Sequence, residues 1–133
     1  MPLRIVQLGT PRAPGEGLRI GTVRRPPRGV PKAEFASRDY YDCWYPELSP
    51  SADTMALGQA AQKSGDLKAW QQFDKAFRKE MADAGADRTL QLLAALSRQT
   101  SFAIGCYCDD ETRCHRSILR ALLADKGAAI AAD

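Results

Sequence analysis

"SFAIGCYCDDETRCHRSILRALL", residues 101–123, is the stretch on which the reading of the whole chain turns. Its first part, Ser101–Cys108, is short, apolar and bounded by polar residues, which suits a buried strand in a parallel or mixed sheet. Its second part, from about Thr112 to Lys126, puts Ile118, Leu119, Leu122 and Leu123 on one helical face, and Gly127 ends the run. A helical stretch also precedes the strand: in "DRTLQLLAALSRQ" (87–99), Asp87 is an available cap and Leu90, Leu93, Ala94 and Leu96 form an apolar stripe. Helix, strand, loop, helix is the signature of a small α/β domain whose sheet is covered by helices.

Upstream, "DLKAWQQFDKAFRKEMADAG" (66–85) carries the strongest helical pattern, with Trp70, Phe73, Phe77 and Met81 in register, Asp66 as cap and Gly85 after the last turn. "SADTMALGQAAQKSG" (51–65) reads as a further helix, with Ser51 or Asp53 capping, Met55 and residues 57–61 packing, and Gly65 as stop. Near the N-terminus, "LRIVQL" (3–8) and "LRIGTV" (18–23) read as strands separated by the turn-rich "PRAPGEG". "PKAEFASR" (31–38) can open a short helix at Pro31, and "DYYDCWYPELSPS" (39–51) reads as an aromatic loop with a short extended piece, in which Cys43 is expected to pack. No linker or internal repeat divides residues 1–133, and the expected core runs from about 3 to 127.

Composition narrows the classes. The chain has 133 residues, 44% of them hydrophobic, and a net charge of +3, which is mild for a dedicated nucleic-acid binder. The basic residues are concentrated: Arg4, Arg12, Arg19, Arg24, Arg25 and Arg28 face a single acid, Glu16, before residue 30. No run of eighteen apolar residues and no signal-peptide pattern is present, so a soluble cytoplasmic protein without membrane partners is expected. Three of the four cysteines lie within residues 106–114, which is not the dispersed spacing of a secreted disulfide scaffold, and reduced thiols are expected.

The chemistry is concentrated in "CYCDDETRCHR" (106–116), which also holds the only histidine. In open α/β sheets ligands sit beyond the carboxyl ends of strands, where loops lead into helix N-termini. As a reaction centre, Cys114 or Cys108 would be the nucleophile and His115 the acid or base, with Arg113 and Arg116 as an anion clamp. A thiolate at Cys114 would be favoured by the helix start and by Arg113, Arg116 or a protonated His115.

As a zinc site, Cys106, Cys108, Cys114 and His115 have the right donor types, yet adjacent Cys114 and His115 would have to converge on one ion, so no metal is assigned. A redox pair of Cys108 and Cys114 lacks the C-x-x-C spacing. In a purely structural reading Cys106 fills the core and the remainder opens a helix. The spacing from Cys106 or Cys108 to an arginine does not match the protein-tyrosine-phosphatase loop, and no Walker, G-x-G-x-x-G, H-E-x-x-H or G-x-S-x-G motif implies a cofactor or a reaction.

A second constellation is "VRRPPRGVPK" (23–32). Arginines in a proline-stiffened loop can grip phosphate or carboxylate through bidentate bonds, and a parallel arrangement of the 18–23 and 102–107 strands would bring Arg24, Arg25 and Arg28 toward the cysteines. The expected partner is an anionic, phosphate- or nucleotide-like small molecule. The alternative is a non-catalytic nucleic-acid or protein-binding module using the N-terminal arginines and the rings of Tyr40, Tyr41, Trp44 and Tyr45.

Taken together, "IGTVRRPPRGVPKAEF", "YYDCWYPELSPS", "WQQFDKAFRKEM" and "IGCYCDDETRCHRSILRALL" resemble the bacterial and archaeal family catalogued as domain of unknown function 488, from about Leu3 to Gly127. The resemblance implies a compact α/β fold and no assigned reaction. Members often carry an aspartate beside the arginine after the second strand, where this chain has Thr22, Val23 and Arg24.

Overall fold

The computed structural model describes residues 2–132. Four strands and four α-helices follow one another as β1 (Leu3–Gln7), β2 (Leu18–Gly21), β3 (Cys43–Trp44), α1 (Ala52–Ser64), α2 (Leu67–Met81), α3 (Ala84–Ser97), β4 (Phe102–Cys106) and α4 (His115–Asp125). All strand pairs are parallel, in the spatial order β1-β4-β2-β3, so the last strand in the chain lies between the first two. That position explains the unbroken apolar character of β4: all five residues are buried, with neighbours on both sides. Close approach also matters, because a Cβ on Gly105 would stand 2.6 Å from the Val6 carbonyl oxygen. The α/β expectation and the two N-terminal strands hold.

Two cores flank the sheet. The larger joins Leu3, Ile5, Phe102 and Ile104 to Phe73, Phe77 and Met81 of α2, Leu90 and Leu93 of α3, and Leu119 and Leu123 of α4. The helices supply this side because their apolar stripes have the 3.6-residue period. The smaller core holds Val6, Leu8, Val23, Tyr41, Ala103, Cys106 and Cys114, with Phe35 and Tyr40 packed against it from the β2–β3 segment. In α1 the inward face is Thr54, Gly58 and Ala61, while Leu57 is exposed; Gly58 leaves the space into which the Phe73 ring fits.

Ser51 caps α1 and Gly65, in the left-handed region at φ 68°, ends it. Asp66 caps α2. Several expectations need correction. Asp83, not Asp87, caps α3, so Gly85 lies inside that helix instead of terminating α2, which closes at Ala82. Asp83 wins because its carboxylate reaches the Gly85 N–H, whereas Asp87 already donates its backbone N–H to the Asp83 carbonyl within the helix and its side chain pairs with Lys126. Residues 31–38 form only a single 3-10 turn at Lys32–Glu34, followed by irregular turns. Cys43 is exposed on the two-residue strand β3 and does not pack.

Behind the N-terminal loops a buried ion pair organises the chain. Arg19 is fully buried and donates from Nε and Nη2 to both Glu16 oxygens at 2.8 and 3.0 Å, and from Nη1 to the carbonyls of Thr10 and Asp39. Arg12 grips Asp42, which also accepts from the Arg19 backbone N–H. At the other end of the fold the Glu80 carboxylate accepts from the hydroxyls of Ser51 and Thr54.

Burial opposes ionisation of all three carboxylates, yet bonds from Arg19, Arg12 and the hydroxyls hold Glu16, Asp42 and Glu80 below their usual pKa. A carboxylate depressed on folding stabilises the native state above its unfolded pKa and loses that contribution as pH falls through the folded value. The urea midpoint should therefore begin to fall below about pH 6.5, where unfolding lets the buried His115, whose pKa burial lowers, take up a proton, and fall further below about pH 4, the range of free carboxyls; a midpoint that rises on acidification would contradict these assignments.

Candidate functional site

The carboxyl ends of β2 and β4 open into a cleft of about 330 Å³, lined by Val23, Arg24, Arg25, Gln62, Phe73, Cys106, Cys108, Arg113, Cys114 and His115 among others. This is the crevice expected for a ligand in a parallel sheet. Its rim is held together by one bond in particular: the Tyr107 hydroxyl donates to the Arg25 carbonyl at 2.7 Å, tying the arginine loop to the β4–α4 loop. A more open cleft of about 900 Å³ shares Arg24 and Arg25 but is otherwise lined by residues such as Trp44, Glu47, Glu80 and Asp83, with no thiol or imidazole.

The loop leaving β4 does not run straight into the helix. Glu111–Arg113 make a 3-10 turn, Asp110 caps it through the Thr112 N–H, and Cys114 then adopts extended geometry (φ −129°, ψ 156°) as the N-cap of α4, which begins at His115. The helix thus starts three residues later than the apolar periodicity suggests, because Asp110 captures Thr112 in its own turn. Glu111 pairs with Arg120 at 2.6 and 2.9 Å, so it does not neutralise Arg113 or Arg116.

This geometry gathers the thiols. Cys106 Sγ and Cys114 Sγ are 2.7 Å apart, Cys114 Sγ is 3.6 Å from His115 Nδ1, and both sulfurs are buried. The donor atoms of Cys106, Cys114 and His115 lie within 4.8 Å of one another, so adjacency of Cys114 and His115 is no obstacle to convergence. One residue is the helix cap and the next is in the first turn, and their side chains turn to the same point. Cys108 is half-buried, lines the cleft, and is reached by the Gln62 amide at 3.8 Å. Gln62 also donates to the Arg113 carbonyl at 2.7 Å. Nothing in the sequence singles out Gln62, which comes from α1.

His115 Nε2 stands 2.6 Å from the Thr22 carbonyl oxygen. A carbonyl only accepts, so Nε2 carries the hydrogen, and burial lowers the pKa of the ring so that it is neutral. Nδ1 is then a free lone pair directed at the Cys114 sulfur. The protonated His115 considered above is replaced by this neutral tautomer. Phe77 holds the ring edge-on, with centroids 5.5 Å apart.

The thiolate expected at Cys114 is also displaced. Although Cys106 bonds to it favourably, donation to Cys108, burial and the Cys108 charge push the Cys114 thiol up to about 11. Hydrogen bonds to Cys108 and Cys114, with burial, raise Cys106. The same bonds from Cys106 and Cys114 lower Cys108, against the effect of its burial.

The arginines separate into different roles. Arg24, Arg25 and Arg113 line the cleft, and Arg113 lies over the Trp70 ring at 5.9 Å. Arg28 is exposed and lines none of the clefts described. Arg116 is 4% exposed; its Nη2 donates to the Cys108 carbonyl at 2.6 Å and its Nε has no partner. It fixes the Cys108 loop from behind and does not line the cleft. Of the aromatic run, Tyr41 is buried, Tyr40 packs edge-on against Tyr107, Tyr45 bonds Thr89, and only Trp44 is exposed. No helix of the described residues is long and apolar enough to cross a membrane.

Compared with known proteins, residues 3–127 match a family model described as "DUF488-N3a: Active DUF488-N3 subclade". No curated protein and no solved structure matches the chain.

Proposed function

Since the chain belongs to the DUF488 family over residues 3–127, a family whose reaction its fold does not dictate, we propose from the site itself that it binds an anionic small molecule, phosphate-bearing and nucleotide-like, in the β2/β4 cleft. The observation that carries this reading is the placement of Arg24, Arg25 and Arg113 around a cleft of about 330 Å³, a size in the range of small-ligand sites. Guanidinium groups there meet the anion; the apolar wall of Val23 and Phe73 accepts the rest of the ligand. Cys108, His115 and Cys114 form the part of the lining with chemistry to offer: sulfur nucleophiles beside a neutral imidazole. Arg116 acts through the Cys108 carbonyl as a positioning residue.

The test is calorimetric titration of the full chain, under reducing conditions, with inorganic phosphate, a nucleoside monophosphate and the uncharged nucleoside. The monophosphate should bind, the nucleoside should not, and Arg24→Ala with Arg113→Ala should weaken binding at least tenfold, about 1.4 kcal/mol. Equal binding by wild type and variant, or no binding of either anion at millimolar concentration, overturns the reading.

A further inference from the structure

We infer that Cys106, Cys114 and His115 form a binding site for one tetrahedral divalent metal ion of the zinc type, with the fourth position left to water or a ligand from the cleft. The inference concerns the same cleft and shares Cys114 and His115 with the anion reading, but it does not need Arg24, Arg25 or Arg113.

Three observations converge. The first is geometric: two sulfurs and a ring nitrogen, from the end of β4 and the start of α4, have their donor atoms within 4.8 Å of one another, all on buried residues. Ligands at about 2.0 to 2.3 Å from zinc necessarily lie within such a span of each other. The second is the orientation of His115. Its Nε2–H is spent on the Thr22 carbonyl at 2.6 Å, leaving Nδ1 as a lone pair toward the sulfurs. A ligating histidine almost always anchors its other ring nitrogen in this way, which fixes both tautomer and ring direction.

The third is a charge that needs an answer. The Arg116 guanidinium is 4% exposed, and among the described residues it has no carboxylate partner; its Nε makes no hydrogen bond at all. A buried cation without a counter-charge is costly. Metal-bound thiolates at Cys106 and Cys114 would place two negative sulfurs near the Arg116 guanidinium, in a centre that is neutral overall. The donor set, sulfur and imidazole with no carboxylate, selects zinc or cobalt over magnesium or calcium. On binding, each thiol loses its proton to solvent as a metal–sulfur bond forms; His115 contributes its lone pair and keeps Nε2–H.

The experiment is titration of the reduced, chelator-treated full chain with Co²⁺, followed by displacement with Zn²⁺. The expected result is saturation at one ion per chain, with the intense visible bands of tetrahedral cobalt and a thiolate-to-cobalt charge-transfer band, both abolished by Zn²⁺. Cys114→Ser and His115→Gln should each weaken binding at least a hundredfold, while Cys43→Ser leaves it unchanged. Because the two site variants could unfold, the wild-type titration stands alone as a test: a reduced chain that shows no charge-transfer band, or binds cobalt at other than one equivalent, overturns the proposal. So does unchanged affinity in folded Cys114→Ser. Arg113→Ala separates the two readings, since it should keep the cobalt spectrum intact whether or not it weakens the nucleotide.

Discussion

Glu16→Ala is expected to lower the stability of the chain by about 3–5 kcal/mol, the usual result of leaving one member of a buried ion pair alone. Glu16 meets Arg19 through both carboxylate oxygens and also accepts from Arg4 and from the Ala13 backbone N–H. The Arg19 side chain has no exposure through which water could replace the lost partner. Its two remaining bonds, to the Thr10 and Asp39 carbonyls, do not supply charge. A domain of this kind has a total stability of only about 5–15 kcal/mol, so the variant should unfold in urea at a much lower midpoint. A loss below about 1 kcal/mol, the range of exposed pairs, would show that the pair is not buried in solution. The double variant Glu16→Leu with Arg19→Met should be less damaging than Glu16→Ala alone, because it removes the stranded charge along with its partner.

Phe77→Ala should cost a comparable amount, about 3–5 kcal/mol, as is usual when a phenyl ring is deleted from a core. Phe77 is fully buried and sits between the Phe73 ring, stacked at 6.1 Å, and the His115 imidazole. The substitution therefore acts on two levels. It opens a cavity in the larger core and removes the wall that keeps His115 edge-on. Denaturant unfolding measures the first effect. The second is read from the His115 Nε2–H proton resonance, which should broaden or exchange with solvent once the ring is free to leave the Thr22 carbonyl. Phe77→Leu should retain most of the stability and a sharp resonance. An unaltered resonance in Phe77→Ala would mean that Thr22 alone holds the imidazole.

The parts of the fold legible in the sequence are those written in local pattern. The stripe Trp70, Phe73, Phe77 and Met81 has helical period, Ser51 and Asp66 have cap chemistry, and the short apolar run 102–106 suits a strand buried on both faces. The misplaced cap of α3 reflects competition between neighbours: Asp83 and Asp87 are both good caps, and only the path of the chain after α2 decides between them. The site was legible as a cluster but not as a geometry. Whether Cys114 and His115 converge depends on Cys114 being extended while His115 is helical, a single change of backbone region between adjacent residues. The contributions of Gln62 and of the Thr22 carbonyl come from elements 53 and 93 residues away from His115, and carry no local signal.

The order of strands also sets a timetable for synthesis. Because β4 stands between β1 and β2, a nascent chain that has emerged only as far as Gln99 holds β1 and the β2–β3 pair without the strand that joins them. Helices α1 to α3 are local and can form early, but sheet closure must wait for residues 102–106, whose partners lie 99 positions earlier in β1 and 84 in β2. The strand that completes the sheet is also the one that brings Cys106, and the thiols and the histidine follow within the next few residues. The reactive side chains of the site are thus synthesised with the strand that closes the sheet and not ahead of it.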